Sequence, residues 1–172
     1  MSLQKKICMV GMFGTGKTCL VRQYVHSIFS TKYHSTVGVK IDRKTVDVGG
    51  TEVSLLLWDM AGRDGEQDIT VSYLRGAHGI LYVIDGTRRE TYEPIFELRE
   101  LVRSAAGDVP SVIALNKSDL VDQWVLAPAD VDGLAKHDWH PLRTSAKTGE
   151  GVEAAFTWLA RATLAPAGGS TA

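Results

Sequence analysis

One stretch of the chain has the residue types and spacing of a phosphate-binding turn: Gly11-Met12-Phe13-Gly14-Thr15-Gly16-Lys17-Thr18. It follows the apolar run Ile7-Cys8-Met9-Val10 and leads into Cys19-Leu20-Val21-Arg22-Gln23-Tyr24-Val25, which reads as helix. Strand, glycine-rich turn, Lys-Thr and helix form the context in which the pattern G-x-x-x-x-G-K-S/T carries a mechanism. Glycines let backbone N–H groups converge on an anionic group, and the helix start adds unsatisfied donors and the positive end of its dipole. Lys17 is placed to reach the β- and γ-phosphates of a nucleotide, and the Thr18 hydroxyl to ligate Mg²⁺. The plainer alternative is an ordinary glycine-rich turn between a strand and a helix.

Three further motifs follow strands. Asp59, with Met60-Ala61-Gly62 after it, closes the run Val53-Ser54-Leu55-Leu56-Leu57-Trp58. A carboxylate there suits a Walker-B role, holding Mg²⁺ through water, while Gly62 leaves its N–H free to approach a γ-phosphate. Taken alone, an Asp at a strand end is more often a cap; its place one crossover after the phosphate turn reverses that weighting. Asn116-Lys117-Ser118-Asp119 follows the apolar Val112-Ile113-Ala114-Leu115. A carboxylate in this position can accept from both the ring N1–H and the exocyclic amine of guanine. Adenine offers no such donor pair on that edge, so a buried, unpaired charge would reject it. The bland reading is a polar turn capping a strand. Ser145-Ala146-Lys147 follows the last strand, where a backbone N–H can bind the base oxygen, although by itself this tripeptide is uninformative.

The elements that must position these motifs can be read in order. Strand one spans Lys5 to Val10, and helix one about Lys17 to His26. The polar stretch Ser27 to Gly38 has neither periodicity and is too long for an idle connector, so it is a candidate functional loop. Val39 to Val48 alternates in part and ends at Gly49-Gly50, a hairpin signal, with Thr51 to Trp58 as the antiparallel partner. Asp59 to Gly65 reads as loop and Glu66 to Arg75 as a weak helix. Gly79 to Asp85 is a central strand by its near-continuous apolar run. Within Thr91 to Ala105, the residues Ile95, Leu98, Leu101, Val102 and Ala105 recur at helical spacing. Val112 to Leu115 is a further buried strand. Pro128 to Lys136 is a short helix, with Pro128 suited to its first turn. His140 to Thr144 reads as a short strand and Glu150 to Leu164 as the last helix. Strands alternating with helices predict an α/β sandwich whose ligand loops gather at the carboxyl ends of the strands.

Bulk properties set limits on function. The 172 residues suffice for one domain, 1–164, with a small-residue tail, 165–172. Hydrophobic residues at 44% and charged residues at 23% give the balance of a soluble globular protein. A net charge of -1 gives no general attraction to nucleic acid or anionic membrane. Cys8 and Cys19 read as small packing residues. Two thiols make neither a disulfide framework nor a metal cluster, which fits a reducing, cytoplasmic compartment. No apolar run is long enough to span a bilayer, and the N-terminus has no signal-peptide core. The tail lacks cysteine, so no lipid anchor of the C-a-a-X type is expected on this chain. Trp58, Trp124, Trp139 and Trp158 read as core or surface anchors. His78, His137 and His140 lack metal spacing, and Arg88-Arg89-Glu90 reads most simply as a solvated helix start, although a loop after Asp85 can skirt the nucleotide.

The four motifs in this order resemble the Ras superfamily of small GTPases, and Rab proteins most closely, from Lys5 to about Leu164. Rab-like passages include Tyr33-His34-Ser35-Thr36-Val37-Gly38-Val39, Trp58-Asp59-Met60-Ala61-Gly62 and Ser72-Tyr73-Leu74-Arg75-Gly76-Ala77-His78-Gly79. The resemblance implies a P-loop NTPase three-layer sandwich. Its sheet has six strands, mostly parallel with one antiparallel edge strand, and there are five helices. It also implies GTP/GDP and Mg²⁺ as cofactors. Carried onto matching positions, the phosphate turn contributes Gly11, Phe13, Gly14, Thr15, Gly16, Lys17, Thr18 and Cys19. The loop Ser27 to Gly38 becomes switch I, with Phe29 against the guanine, Tyr33 over the phosphates, and Thr36 on Mg²⁺ and the γ-phosphate. Residues from Asp59 to about Ala77 become switch II. Asn116, Lys117 and Asp119, with Ser145, Ala146 and Lys147, complete the base site. Thr18, Thr36 and Asp59 form the metal set, and Lys17, Thr36, Gly62 and Arg63 occupy the catalytic positions. Partners are effector and regulatory proteins meeting the switches and the Ile41/Trp58/Tyr73 surface of a monomer.

Two departures from the family pattern fall at the hydrolytic centre. The family's switch II usually reads Gly-Gln-Glu, with glutamine positioning the attacking water; this chain reads Gly62-Arg63-Asp64. Arginine has donors but no acceptor and cannot orient a water in the same way. Phe13 stands where family members commonly carry glycine or another small residue, and its ring would crowd the γ-phosphate and obstruct an incoming arginine finger. Weak intrinsic hydrolysis is therefore expected. Alternatively Arg63 swings inward as an intrinsic finger, with Gln67 or a partner placing water, against the plain alternative of a solvated arginine on a mobile loop. A different class of function is a guanine-nucleotide-controlled binding module that scarcely hydrolyses. A P-loop kinase is disfavoured by Asn116-Lys117-Ser118-Asp119 and by the absence of an arginine-rich lid.

Overall fold

Alternation along the strands decides where the core sits. In the computed structural model, which describes residues 3–30, 38–60, 71–137 and 139–165, six strands form one sheet. They are β1 (Leu3–Gly11), β2 (Val39–Val48), β3 (Thr51–Met60), β4 (Gly79–Asp85), β5 (Ser111–Asn116) and β6 (His140–Arg143). Their order is β2-β3-β1-β4-β5-β6, with β2 antiparallel to β3 and every other pairing parallel. Five helices are described: α1 (Lys17–His26), α2 (Val71–Leu74), α3 (Pro94–Ala106), α4 (Pro128–Ala135) and α5 (Val152–Leu164).

Successive side chains of β1 face opposite layers, as a period of two requires. Ile7 and Met9 enter a core shared with Leu20 and Tyr24 of α1 and Phe156 and Leu159 of α5. Cys8 and Val10 enter a second core with Ile95, Leu98 and Val102 of α3 and with Trp139. All seven residues of β4 are buried, so the strand needs apolar residues on both faces. This is the expected three-layer α/β sandwich, and the hairpin β2–β3 turns at Gly49-Gly50 as its sequence predicts.

Several boundaries differ from the sequence reading. β1 begins at Leu3 and runs on to Gly11. β3 does not stop at Trp58; Asp59 and Met60 stay in the strand because they pair with Lys40 and Val39 across the hairpin. Of the weak helix 66–75, Val71–Leu74 is helical and Arg75 is in a turn, while 66–70 lie outside the described residues. The helix expected from Thr91 begins at Pro94, whose missing N–H suits a first-turn position, and Arg89–Thr91 forms a separate 3₁₀ turn. Helix α4 ends at Ala135, one residue short of the predicted end. Thr144 falls outside β6, where its N–H donates to the Leu115 carbonyl at 2.9 Å. Helix α5 starts at Val152 rather than Glu150, because Gly151 is left-handed (φ 68°) and a Cβ on it would overlap the Arg143 carbonyl.

The rings of Tyr24 and Phe156 stack with centroids 4.1 Å apart and join α1, which opens on the phosphate turn, to α5. Phe156→Ala removes that stack and leaves a cavity, so unfolding in urea should show a loss of about 3–5 kcal/mol.

Candidate nucleotide-binding site

The phosphate turn is held in shape by its own carbonyls. Thr15 Oγ1 donates to the Met12 carbonyl at 3.0 Å, and Lys17 Nζ donates to the carbonyls of Gly11 and Met12 at 3.2 and 2.9 Å. Burial pulls the Lys17 ammonium down to about 8, against the attraction of Asp59. A phosphate set against it would favour the charged form again. Gly16 sits at φ 101° and precedes α1; a Cβ there would overlap the Asn116 side-chain amide.

At the end of β3, Asp59 is almost wholly buried. It accepts the Thr18 hydroxyl on Oδ2 at 2.7 Å, while Oδ1 has no hydrogen-bond partner among the described residues. Burial raises the Asp59 pKa, opposed by the Thr18 hydrogen bond and by Lys17. A buried carboxylate oxygen without a donor, next to a hydroxyl at a helix start, is a donor set that fits a hard divalent cation.

The residues that follow β5 and β6 are equally tied together. Asn116 donates from Nδ2 to the Thr15 carbonyl at 3.0 Å and accepts the Thr144 hydroxyl on Oδ1 at 3.1 Å. Lys117 Nζ lies 3.2 Å from the Gly14 carbonyl and 2.8 Å from Asp85 Oδ2. Ser145 Oγ donates to Asp119 Oδ1 at 2.7 Å and accepts the Thr148 N–H at 3.1 Å, which fixes the carboxylate. Asn116, Lys117 and Asp119 border a cavity of about 480 Å³ lined also by Phe13, Gly14, Gly16, Cys19, Phe29, Ala146 and Lys147. Phe13 and Phe29 are its exposed aromatics, at 40% and 41% of full exposure.

The structure therefore brings together Gly11, Phe13, Gly14, Thr15, Gly16, Lys17, Thr18, Cys19, Phe29, Asp59, Asn116, Lys117, Asp119, Ser145, Ala146 and Lys147 at one edge of the sheet. Tyr33, Thr36, Gly62, Arg63 and Gln67 lie outside the described residues. Cys19 does more than pack, since it also borders the cavity; Cys8 is wholly buried, as expected. Among the described residues, no group of histidine, cysteine and acidic side chains could hold a metal ion by itself, so no metal cluster forms around the histidines. Three polar residues with roles here have no motif in the sequence: Thr144, Asp85 and Arg88. Asp85 carried a usable signal, being a carboxylate that closes a buried strand just as Asp59 does. Arg88 is no mere solvated helix start, because its guanidinium donates to the Phe13 carbonyl at 3.2 Å. Arg89 beside it pairs with Asp130 at 2.7 Å.

A glycine-rich turn between a parallel strand and a helix, with a buried lysine and a carboxylate-bound threonine, defines the P-loop nucleotide-binding class. A family model described as "Ras family" matches residues 6–165, and the chain belongs to that family. It is a Rab-like small GTPase, a GTP-binding switch protein. The Ras-related protein Rab-1 of Theileria annulata is 37% identical over 160 residues, covering 91% of this chain and 73% of that protein. Rab-1 of Theileria parva is 36% identical over 160 residues, with the same coverage of both. Rab-13 of Bos taurus is 34% identical over 166 residues, covering 95% of this chain and 82% of that protein. No helix among the described residues is long and apolar enough to cross a membrane.

Asn116→Ala would leave the Thr15 carbonyl and the Thr144 hydroxyl without their partner in a buried setting. Denaturant unfolding of the nucleotide-free protein should show a loss of about 2–4 kcal/mol.

Proposed function

We propose that this protein is a Mg²⁺-dependent guanine-nucleotide switch that binds GTP and GDP tightly and hydrolyses GTP slowly by itself. The observation that carries this reading is that glycines of the phosphate turn, Gly14 and Gly16, line one cavity with Asp119, which Ser145 fixes, while Thr18 at the end of the same turn is bound to the buried Asp59. The backbone of the phosphate turn and Lys17 hold the β- and γ-phosphates. Asp119 accepts from the guanine N1–H and exocyclic amine, Phe29 covers the base, and Ala146 with Lys147 borders its oxygen. Thr18, Thr36 and Asp59 would hold the metal. When bound, Mg²⁺ supplies positive charge to the β- and γ-phosphate oxygens.

Slow turnover follows from the residue types at the hydrolytic centre. Arg63 stands where an acceptor is needed to orient the attacking water, and Phe13 brings a phenyl ring to the turn. Thr36 and Gly62 keep the remaining γ-phosphate contacts of the family. The exposed Phe13 ring at the cavity favours a second reading, in which the GTP-bound surface is the function and turnover is left to partners. In either case effectors meet the switches and the patch made by Ile41, half exposed, and Trp58, whose ring lies 6.2 Å from that of Tyr73. A cytoplasmic setting suits a protein with two free thiols.

Nucleotide released from gently purified protein should be GDP or GTP. Asp119→Asn puts an amide donor opposite two donors, so its GDP affinity should fall by about 10²-fold or more. Retention of wild-type GDP affinity in that variant would remove Asp119 from base recognition. Single-turnover hydrolysis by the protein alone should stay far below the roughly 5–20 s⁻¹ of an activator-stimulated small GTPase. A rate in that range would refute slow turnover, and Arg63→Ala then reports whether the arginine supplies it.

A further inference from the structure

Beyond the motif residues, one cation reaches the nucleotide cavity from a strand end that no motif marks. Arg88 lies three residues past Asp85, the last residue of β4. Its Nη1 donates to the Phe13 carbonyl at 3.2 Å, and a Cβ on Gly14 would lie 3.1 Å from the same nitrogen. The guanidinium thus spans the outer edge of the phosphate turn and forms part of the cavity wall. Its Nε donates to Glu90 at 3.1 Å, and Nη2 makes no hydrogen bond among the described residues.

Two carboxylates pair with this cation, and neither is both close to it and desolvated. Asp85, wholly buried, is held by Lys117 at 2.8 Å and lies only at 4.0 Å from Arg88. Glu90 is well exposed, so water and salt screen its charge. The backbone beneath Arg88 is fixed: its N–H donates to the Asp85 carbonyl and its own carbonyl accepts the Thr91 hydroxyl at 2.8 Å. A planar fork with a spare donor edge, on a fixed loop beside phosphate-binding glycines, suits a phosphate group better than any neutral partner.

We propose that Arg88 is a direct ligand of the nucleotide's diphosphate, a cation supplied by the β4 loop in addition to Lys17. This rests on the guanine-nucleotide reading and goes further by adding a contact that the motifs do not contain. The contact is common to GDP and GTP, so it acts on retention of nucleotide in both states.

The test compares GDP and GMP affinities of wild type, Arg88→Gln and Arg88→Lys, each measured from about 50 mM to about 500 mM salt. Thermal unfolding checks that the variants remain folded. A charge-assisted contact of this kind predicts that Arg88→Gln binds GDP about tenfold more weakly, with a much smaller change for GMP. The salt dependence of GDP binding should flatten in Arg88→Gln and return in Arg88→Lys. If Arg88 merely braces the turn through Phe13, affinity changes while the salt dependence stays as in wild type. That result, equal losses for GDP and GMP, or no loss at all, overturns the proposal while leaving guanine-nucleotide binding intact. Failure of the wild-type protein to bind GDP overturns both.

Discussion

The geometry of the whole site depends on one buried side-chain amide. Asn116 is 1% exposed at the end of β5 and joins two other loops: the phosphate turn through Thr15 and the loop after β6 through Thr144. Each hydrogen bond runs from a different end of the amide, so the side chain has one orientation that satisfies both. The glycine at position 16 lets the turn come this close, because any Cβ there would occupy the space of the amide. The phosphate turn and the loops after β5 and β6 are thus set at a fixed separation before a ligand arrives. Ordering that a ligand does not have to impose is affinity it does not lose.

A second strut runs parallel to the first. Lys117 holds the Gly14 carbonyl and the buried Asp85 carboxylate together, and it adopts a left-handed backbone (φ 67°) to do so. That conformation costs a non-glycine residue on the order of 1–3 kcal/mol and persists where surrounding contacts over-determine it. Here those contacts include the Ser118 N–H on the Thr144 carbonyl and the Ser118 hydroxyl on Glu150. Asp85 in turn cannot be left alone: a buried carboxylate stripped of its lysine loses far more than an exposed pair is worth. The phosphate turn and the ends of β4 and β5 therefore share members, and neither half can be altered in isolation.

Much of this was legible because local signals and global fold agree. The phosphate turn announces itself by glycine spacing, the hairpin by Gly49-Gly50 between partly alternating strands, and β4 by an unbroken apolar run. What escaped needed information from across the sheet. Asp59 and Met60 belong to β3 because Lys40 and Val39 lie opposite them and Met9 of β1 flanks Asp59 on the other side, pairings that no window of β3 contains. Arg88 reads as one of two arginines at a helix start, on a loop that can skirt the nucleotide, and its contact with Phe13 stays hidden because it joins residues 75 positions apart. Thr144 read as the end of a strand, although its side chain is spent on Asn116. In each case the partner, not the residue type, decides the role.

Trp124 carries the same logic to the outer side of the site. In sequence it is an isolated aromatic between the base motif and α4. In the fold its ring occupies the space a Cβ on Gly86 would need, and the Arg143 guanidinium lies 4.5 Å from the ring centre. The Val125 N–H donates to the Gly86 carbonyl at 2.9 Å, closing the same contact through the backbone. Gly86 lies between Asp85 and the loop that bears Arg88, so the tryptophan packs directly beneath the segment that aims the guanidinium. Burying an aromatic face against a glycine gains contact area at little rotamer cost, and the Arg143 stem and charge cover the other side. The ends of β4 and β6 are thereby joined by packing on Trp124 as well as by hydrogen bonds through Asn116 and Thr144. A cation placed at this rim can then act through a well-defined position rather than through the average of a wandering side chain.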